Sequence, residues 1–387
     1  MQIEKKANEL KEYTVNLRRD FHKHPEIGFK EIRSSQIIAD ELKKYGYEVQ
    51  TGIAKTGVVA TLGNGSPVIL LRFDMDALPV QEETGVEYAS ENKGLMHACG
   101  HDGHMAIGVT TAKLLHDLKD QWRGTVKFVF QPAEEGLGGC EQMIAAGILE
   151  NPKPEIALGV HIWNEKPLGW IGIKDGPAMA GADIFTVKII GAGGHGAIPQ
   201  QSHDPIVAAA NVVTAVQSII SRNISPLQSG VISFTQIQSG ETFNVIPPTA
   251  ILKGTIRYFD AEVHDLIIKR LKEIVQGVSS ALGCHTKIDI KKLAPALVNN
   301  PLLSKKVVDV VKYLDQKLSI DTAFQTMGSE DMAYILEKIP GCYIFVGSSN
   351  QEKGLIFGHH SPKFNFDETA LTIAISILTK SVIQLSS

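Results

Sequence analysis

Eight consecutive residues of this 387-residue chain, His97-Ala98-Cys99-Gly100-His101-Asp102-Gly103-His104, supply one thiol and three imidazoles. Donors of that kind, at that density, suit a borderline divalent cation, because they are already deprotonated or easily made so. Gly100 and Gly103 offer the backbone freedom that turning them towards one point requires. A helix opening just after the segment would also favour a thiolate at Cys99. A single imidazole in a loop is ordinary, whereas a cluster of them near acids marks a candidate site.

Other donors fall just after predicted strands. Asp74 and Asp76 follow a strand at 68–73, Glu134 and Glu135 one at 125–130, and His161 one at 156–160. Open α/β sheets bind ligands beyond the carboxyl ends of their strands, so three separate segments would deliver acids and an imidazole to one edge. On extended backbone Glu134 and Glu135 must point to opposite faces, which lets one bind metal while the other works as a base. The run Gly358-His359-His360-Ser361-Pro362 offers a further imidazole, and its residues alone leave ligand and surface loop equally open.

The elements that must position these residues alternate between helix and strand. Ala7, Leu10, Thr14, Leu17 and Phe21 recur every three or four residues, predicting an opening helix that stops before His24-Pro25. A second helix is expected at 31–46. Strands at 58–62 and 68–73 flank Asn64-Gly65 and read as a hairpin, the second strand lacking polar alternation until Arg72 and so buried on both faces. Then follow a helix at 105–118, a strand at 125–130, a short helix at 139–147 and a strand at 156–160. The alternation resumes with a helix at 302–314, a strand at 342–346 and a last helix carrying Leu371, Ala374, Leu378 and Val382, for which Asp367 suits the N-cap.

Between these blocks the order becomes βαββαβ: strand 184–190, a helix opening at Asp204-Pro205, strands 231–237 and 250–258, a helix ending at Gly283, and strand 286–290. That is the split-βαβ, ferredoxin-like arrangement. The expectation is a two-domain α/β protein with a mostly parallel sheet in residues 1–178 and 296–387, and an inserted domain at 179–295. The glycines of Gly191-Ala192-Gly193-Gly194-His195-Gly196 match GxGxxG. A dinucleotide site would also need a helix at once and an acid about 20 residues on, and neither is present. The loop is better suited to presenting His195.

Composition narrows the partners. With 38 basic and 42 acidic residues, a formal charge of -4, the chain has no basic excess for nucleic acid or an anionic membrane surface. Its unbroken apolar runs, such as 68–71, are too short to span a bilayer, and the first residues are not those of a signal peptide, so a cytoplasmic protein is expected. Four scattered cysteines without a CxxC pair indicate neither a disulfide framework nor a zinc ribbon.

Over nearly its whole length the chain resembles the metallo-amidohydrolase and carboxypeptidase family of hippurate hydrolase, N-acyl-amino-acid amidohydrolases and auxin-conjugate hydrolases. The resemblance is carried by Leu17-Arg18-Arg19-Asp20-Phe21-His22 with His24-Pro25-Glu26, Asp74-Met75-Asp76-Ala77-Leu78-Pro79, the Cys99 segment and Gln131-Pro132-Ala133-Glu134-Glu135-Gly136. It continues through Gly159-Val160-His161, Gly193-Gly194-His195-Gly196, Asn244-Val245-Ile246-Pro247, Gly328-Ser329-Glu330-Asp331 and His360-Ser361-Pro362, all in the family order.

The resemblance implies a zinc-peptidase-like catalytic domain with a lid and dimerisation insert. It further implies that Cys99, His101, Glu135, His161 and His360 bind one or two divalent ions, most often zinc, with manganese, cobalt and nickel as alternatives. His360 is taken over His359 for its Ser-Pro neighbours. Asp76 would orient a neighbouring ligand, and Glu134 would be the general base acting on metal-activated water. His195 and Asn244 would assist substrate binding, and Arg257 would suit a substrate carboxylate. The implied activity is cleavage of the amide bond of N-acyl amino acids or of the C-terminal residue of short peptides, by a homodimer or homotetramer assembled through the insert. A non-catalytic binding protein of the same fold is the alternative. His22 and His24 are read as structural, and Gln200 departs from the histidine that many relatives carry after the proline.

Overall fold

The computed structural model describes residues 2–314 and 317–386. The chain divides into two compact units: one made of residues up to Ala178, Val298–Gln325 and those from Asp331 on, the other of Met179–Leu297 with Thr326–Glu330. The excursion at Thr326–Glu330 is not visible in the sequence. It is tied to the second unit by backbone, the Ala180 N–H donating to the Thr326 and Gly328 carbonyls at 3.2 and 2.9 Å.

The larger unit holds an eight-stranded sheet of β1 (Glu48–Ile53), β2 (Gly57–Asn64), β3 (Val68–Asp74), β4 (Gly124–Gln131), β5 (Ile156–Pro167), β6 (Trp170–Gly172), β7 (Ser319–Asp321) and β8 (Gly341–Ser349), in the order β1-β2-β4-β3-β5-β8-β6-β7. The central strands β4, β3, β5 and β8 run parallel. Their residues are buried almost throughout, as parallel strands covered on both faces must be. Helices Lys11–Lys23, Ile32–Lys44, His101–Asp117, Pro301–Leu314 and Thr369–Leu385 supply that cover. The last of these buries residues nearly all round because it packs among the others, and the Asp367 carboxylate accepts the Thr369 N–H at 3.0 Å at its start.

The expected hairpin is wrong. Strand β4 lies between β2 and β3, antiparallel to one and parallel to the other. Residues 65–67 cross over the start of β4: the Thr125 N–H donates to the Pro67 carbonyl and its hydroxyl to that of Gly65. Gly124, at φ 77°, passes so close that a Cβ there would lie 2.2 Å from the Pro67 oxygen. The Asn-Gly turn signal was real, but it serves a crossover rather than a pairing.

In the smaller unit the strands run Gly230–Ser239, Thr249–Tyr258, Gly181–Ile190, His285–Ala294 across the sheet, each antiparallel to its neighbour. Helices Pro205–Ser218 and Ala261–Ala281 pack their apolar stripes on it, capped by Asp204 and Asp260 as their side chains accept the second and third helical N–H groups. Continued by one π turn to Asn223, the first helix is long and apolar enough to cross a membrane, which counting unbroken apolar runs misses. Here its Ala208, Ala209, Val212, Val216 and Ile219 form part of the unit's core. Gly191 explains the glycine-rich run: a Cβ there would sit 2.0 Å from the His203 carbonyl.

Candidate metal centre

The helix predicted at 105 begins at His101, so His101, Asp102 and His104 occupy its first turn, all buried. Gly100 caps it in the left-handed region at φ 94°, which reverses the chain and leaves Cys99 beside His101. Gly103 serves differently from the expectation: it is helical, and a Cβ would meet Phe366 at 2.8 Å. Strand β5 also runs past His161 to Pro167, so that imidazole projects from within a strand and not beyond its end.

These elements bring five donors together. Cys99 Sγ lies 3.6 Å from His161 Nε2, and His360 Nε2 lies 3.3 Å from Glu135 Oε1. Ligand atoms of Cys99, His101 and His161 fall within 4.8 Å of one another, as do those of Cys99, Glu135 and His360, and those of His101, Glu134 and Glu135. Bonds of about 2.0–2.3 Å to a tetrahedral ion place ligand atoms roughly 3.3–3.7 Å apart, so the closest contacts match the edges of such a shell.

The imidazoles are turned for coordination. His101 Nδ1 donates to the Asp76 carbonyl at 2.9 Å and His161 Nδ1 to the Ile162 carbonyl at 2.7 Å, which fixes both tautomers and leaves each Nε2 lone pair facing the cluster. Among the described residues His101 Nε2 is buried without a hydrogen-bond partner, with Asp74 Oδ1 standing 3.7 Å away, an arrangement that a cation would satisfy. Burial foremost, then the Glu135 carboxylate, pushes the Cys99 thiol pKa up. A bound cation reverses that balance and favours thiolate. The donor set fits a divalent metal.

The two glutamates depart from the expectation. Residues 134–136 form a turn, not extended backbone, and Ala133 before them sits at φ 56° although it is not glycine. Both carboxylates therefore approach His101 instead of diverging. The left-handed conformation costs about 1–2 kcal/mol and is held by its surroundings. His360 is likewise left-handed, at φ 64°, and its N–H is anchored to the Ala98 carbonyl at 2.8 Å. Asp76 serves both sides of the cluster: its carboxylate accepts the Glu135 N–H at 3.0 Å and lies 3.3 Å from His101 Nδ1. His359 is in none of these donor groups: its Nε2 accepts the Asn164 N–H at 3.2 Å, and its ring packs against His161, Trp163 and Phe364.

Behind the donors runs a buried polar chain that sequence reading does not find. Asp331 accepts from Arg72 Nη2 at 2.8 Å, Arg72 Nη1 donates to Asp74 Oδ2 at 2.7 Å, and Asp74 Oδ1 accepts from His104 Nδ1 at 2.6 Å. His104 Nε2 then accepts the Ile162 N–H at 2.9 Å, next to His161. Both ring nitrogens of His104 are thereby used, so it positions the strand and does not coordinate. Burial opposes ionisation of Asp74, but His101, His104 and Arg72 outweigh it and hold the carboxyl well below its usual range. A second buried group has Arg18 Nε donating to Asp102 at 2.8 Å and His22 Nδ1 meeting the same carboxylate oxygen at 2.7 Å, a structural place for His22. His24 bonds the Asp20 carbonyl.

His195, Asn244 and Arg257 lie in the second unit. His195 is exposed, pairs by backbone with Val245, and its Nδ1 accepts the Ala197 N–H at 3.1 Å, which leaves the proton on Nε2. Asn244 accepts the Gly196 N–H through its carbonyl at 2.8 Å. Arg257 is half-buried on strand Thr249–Tyr258, where Nη1 donates to the Ile256 carbonyl and the Thr255 hydroxyl.

Residues 70–384 match the family described as peptidase family M20/M25/M40. The chain is 38% identical over 363 residues to the N-acetylcysteine deacetylase of Bacillus subtilis (strain 168), covering 93% of each chain. It is 38% identical over 384 residues to thermostable carboxypeptidase 2 of Saccharolobus solfataricus, covering 96% of this chain and 95% of that one. Among solved structures it superposes with a TM-score of 0.85 and 32% identity on the YXEP protein of Bacillus subtilis, described as a dinuclear metal-binding peptidase from the M20 family, over 98% of this chain and 99% of that one.

Proposed function

The chain belongs to peptidase family M20/M25/M40, and from that premise we propose that it hydrolyses the amide bond of N-acyl amino acids or of the C-terminal residue of short peptides. It is a metal-dependent hydrolase. The observation that carries the reading is the cluster of sulfur, imidazole and carboxylate donors, buried at His101 and His161 and open to solvent at His360, with Glu134 beside it. Cys99, His101, Glu135, His161 and His360 hold one or two ions, and the mixed donor set favours zinc. Such an ion supplies Lewis acidity and makes water acidic enough to attack near neutral pH.

The chain's own residues do the rest. Glu134 accepts the proton of the attacking water as its oxygen bonds to the amide carbon, and returns it to the leaving nitrogen as the C–N bond breaks. Asp76 keeps His101 and Glu135 in place through the contacts described above. His195, with its Nε2–H free to donate, stabilises the developing oxyanion, while Asn244 orients the substrate. Arg257 matches a free carboxylate by its fork of donors, which selects substrates whose leaving amino acid keeps its carboxyl terminus. Assembly as a homodimer or homotetramer through the inserted unit and a cytoplasmic location complete the reading; the four free cysteines suit a reducing compartment.

Replacing Glu134 by Gln should abolish turnover while leaving metal content unchanged, checked on a panel of N-acyl amino acids and dipeptides after chelation and reloading. Retained turnover would reject the base. The non-catalytic alternative requires a missing base or ligand, and each proposed position holds a competent residue.

A further inference from the structure

The function described above makes no use of Glu31, a carboxylate with 0% exposure lying 102 residues before Ala133 in the chain. Its Oε1 accepts the Ala133 N–H at 2.9 Å, and its Oε2 accepts the Thr56 hydroxyl at 2.6 Å. No Lys, Arg or His bonds to it among the described residues. A buried carboxylate without a cation is costly, and such groups persist where the arrangement they impose is needed. What Glu31 grips is the left-handed Ala133, immediately before Glu134. The space around Ala133 is closed on another side too, since a Cβ on Gly28 would stand 2.9 Å from the Ala133 Cβ.

We propose that Glu31 is a positioning residue for the reaction: by holding the Ala133 N–H it keeps the chain in its left-handed turn and so aims Glu134. The inference rests on the reading of Glu134 as proton acceptor. Without the carboxylate, Ala133 relaxes to an ordinary backbone conformation and swings the next residue, because a positive φ at alanine does not persist unsupported. Thr56 orients the carboxylate from the turn just before β2, so segments around residues 31, 56 and 133 close on one another at the base.

The test uses the full chain loaded with metal and the N-acyl amino acid it turns over fastest. Glu31→Ala should lower kcat roughly tenfold to a hundredfold, with KM and bound metal within about twofold of the native protein. Glu31→Gln, whose amide oxygen can still accept the Ala133 N–H, should recover most of the rate, and Thr56→Val should show a smaller fall in the same direction. Should Glu31→Ala not fold, Thr56→Val carries the same decision. The proposal is overturned by kcat within about twofold in Glu31→Ala or an unchanged kcat in Thr56→Val. It is equally overturned by Glu31→Gln as impaired as Glu31→Ala, or by metal loss that accounts for the fall. Glu134→Gln measured alongside separates the premise: turnover retained there removes the base itself, whatever Glu31 does.

Discussion

Asp331→Asn tests the chain behind the metal donors. The native carboxylate accepts from Arg72 Nη2 at 2.8 Å, from Gln131 Nε2 at 2.7 and 2.9 Å, and from the Cys140 N–H at 3.1 Å, and both Arg72 and Asp331 are at most 5% exposed. Asparagine keeps one acceptor and turns the other into a donor facing donors. Breaking a buried pair by removing one partner costs about 3–5 kcal/mol; Arg72 retains Asp74 and the Gln131 carbonyl, so the low end, about 3 kcal/mol, applies. Arg72 would then draw more strongly on Asp74, loosening its hold on His104 and the strand at Ile162. A loss of metal affinity smaller than the roughly tenfold typical of a group bonded directly to a ligand should follow, because Arg72, Asp74 and His104 stand between Asp331 and the strand that carries His161. Urea unfolding of chelated protein, followed by tryptophan fluorescence, reads the larger unit specifically, because Trp122, Trp163 and Trp170 all lie there. Competition with a chelator gives the affinity. Asp309→Asn, on an exposed helix face, is the control and should change stability by less than about 0.5 kcal/mol. A loss below about 1 kcal/mol for Asp331→Asn, well short of the buried-pair range, would refute the reasoning.

Other outcomes follow from the same geometry. Gly108→Ala should destabilise by about 1–3 kcal/mol, since its Cβ would lie 2.6 Å from Phe130 and 2.8 Å from Phe73, both backed by a packed sheet; thermal denaturation checks it. Asp102 is held well below the usual carboxylate range because Arg18, then His22, outweigh the opposing effect of burial. The carboxylate's own stabilisation is complete above the unfolded value of about 3.9 and lost as pH falls through the lower folded one, but Asp102 also raises the His22 pKa. The stability gap between native protein and Asp102→Asn should therefore be fullest between those ranges and shrink both in strong acid and as pH rises above the ordinary imidazole value of about 6.5. Arg257→Ala should raise KM for N-acyl amino acids about tenfold or more and leave their carboxyl-amidated forms unaffected; equal effects on both would count against the carboxylate clamp.

Strands β1, β6 and β7, exposed or only three residues long, escaped the sequence reading, but the main helices and the central strands were legible because apolar periodicity survives wherever the core is apolar. It failed at the site. The helix at His101 starts four residues before its predicted place because His101, Asp102, Gly103 and His104 are buried as polar groups or glycine and break the pattern that marks a helix. The divergence expected of Glu134 and Glu135 assumed extended backbone, and the left-handed Ala133 that prevents it carries no residue signature such as glycine. Strand order escaped because Asn64-Gly65 signals a reversal without saying which strand receives it. The pairing of Arg72 with Asp331 spans 259 residues, and no local pattern announces it. Cys99, His101, His161 and the Glu134-Glu135 pair stood out because their chemistry is rare together, whatever their backbone, whereas the choice of Glu135 and His360 as ligands came from the family resemblance, the run at 358–362 leaving ligand and surface loop equally open by itself.

The most direct measurement is cobalt titration of chelated protein, reading Cys99 thiolate-to-cobalt absorption and recovered hydrolysis of an N-acyl amino acid in the same samples. The account predicts that both rise together to saturation at one or two ions per chain, and that Cys99→Ser abolishes the absorption band. Saturating metal uptake with no thiolate band, or hydrolysis at full rate in metal-free protein, would contradict it.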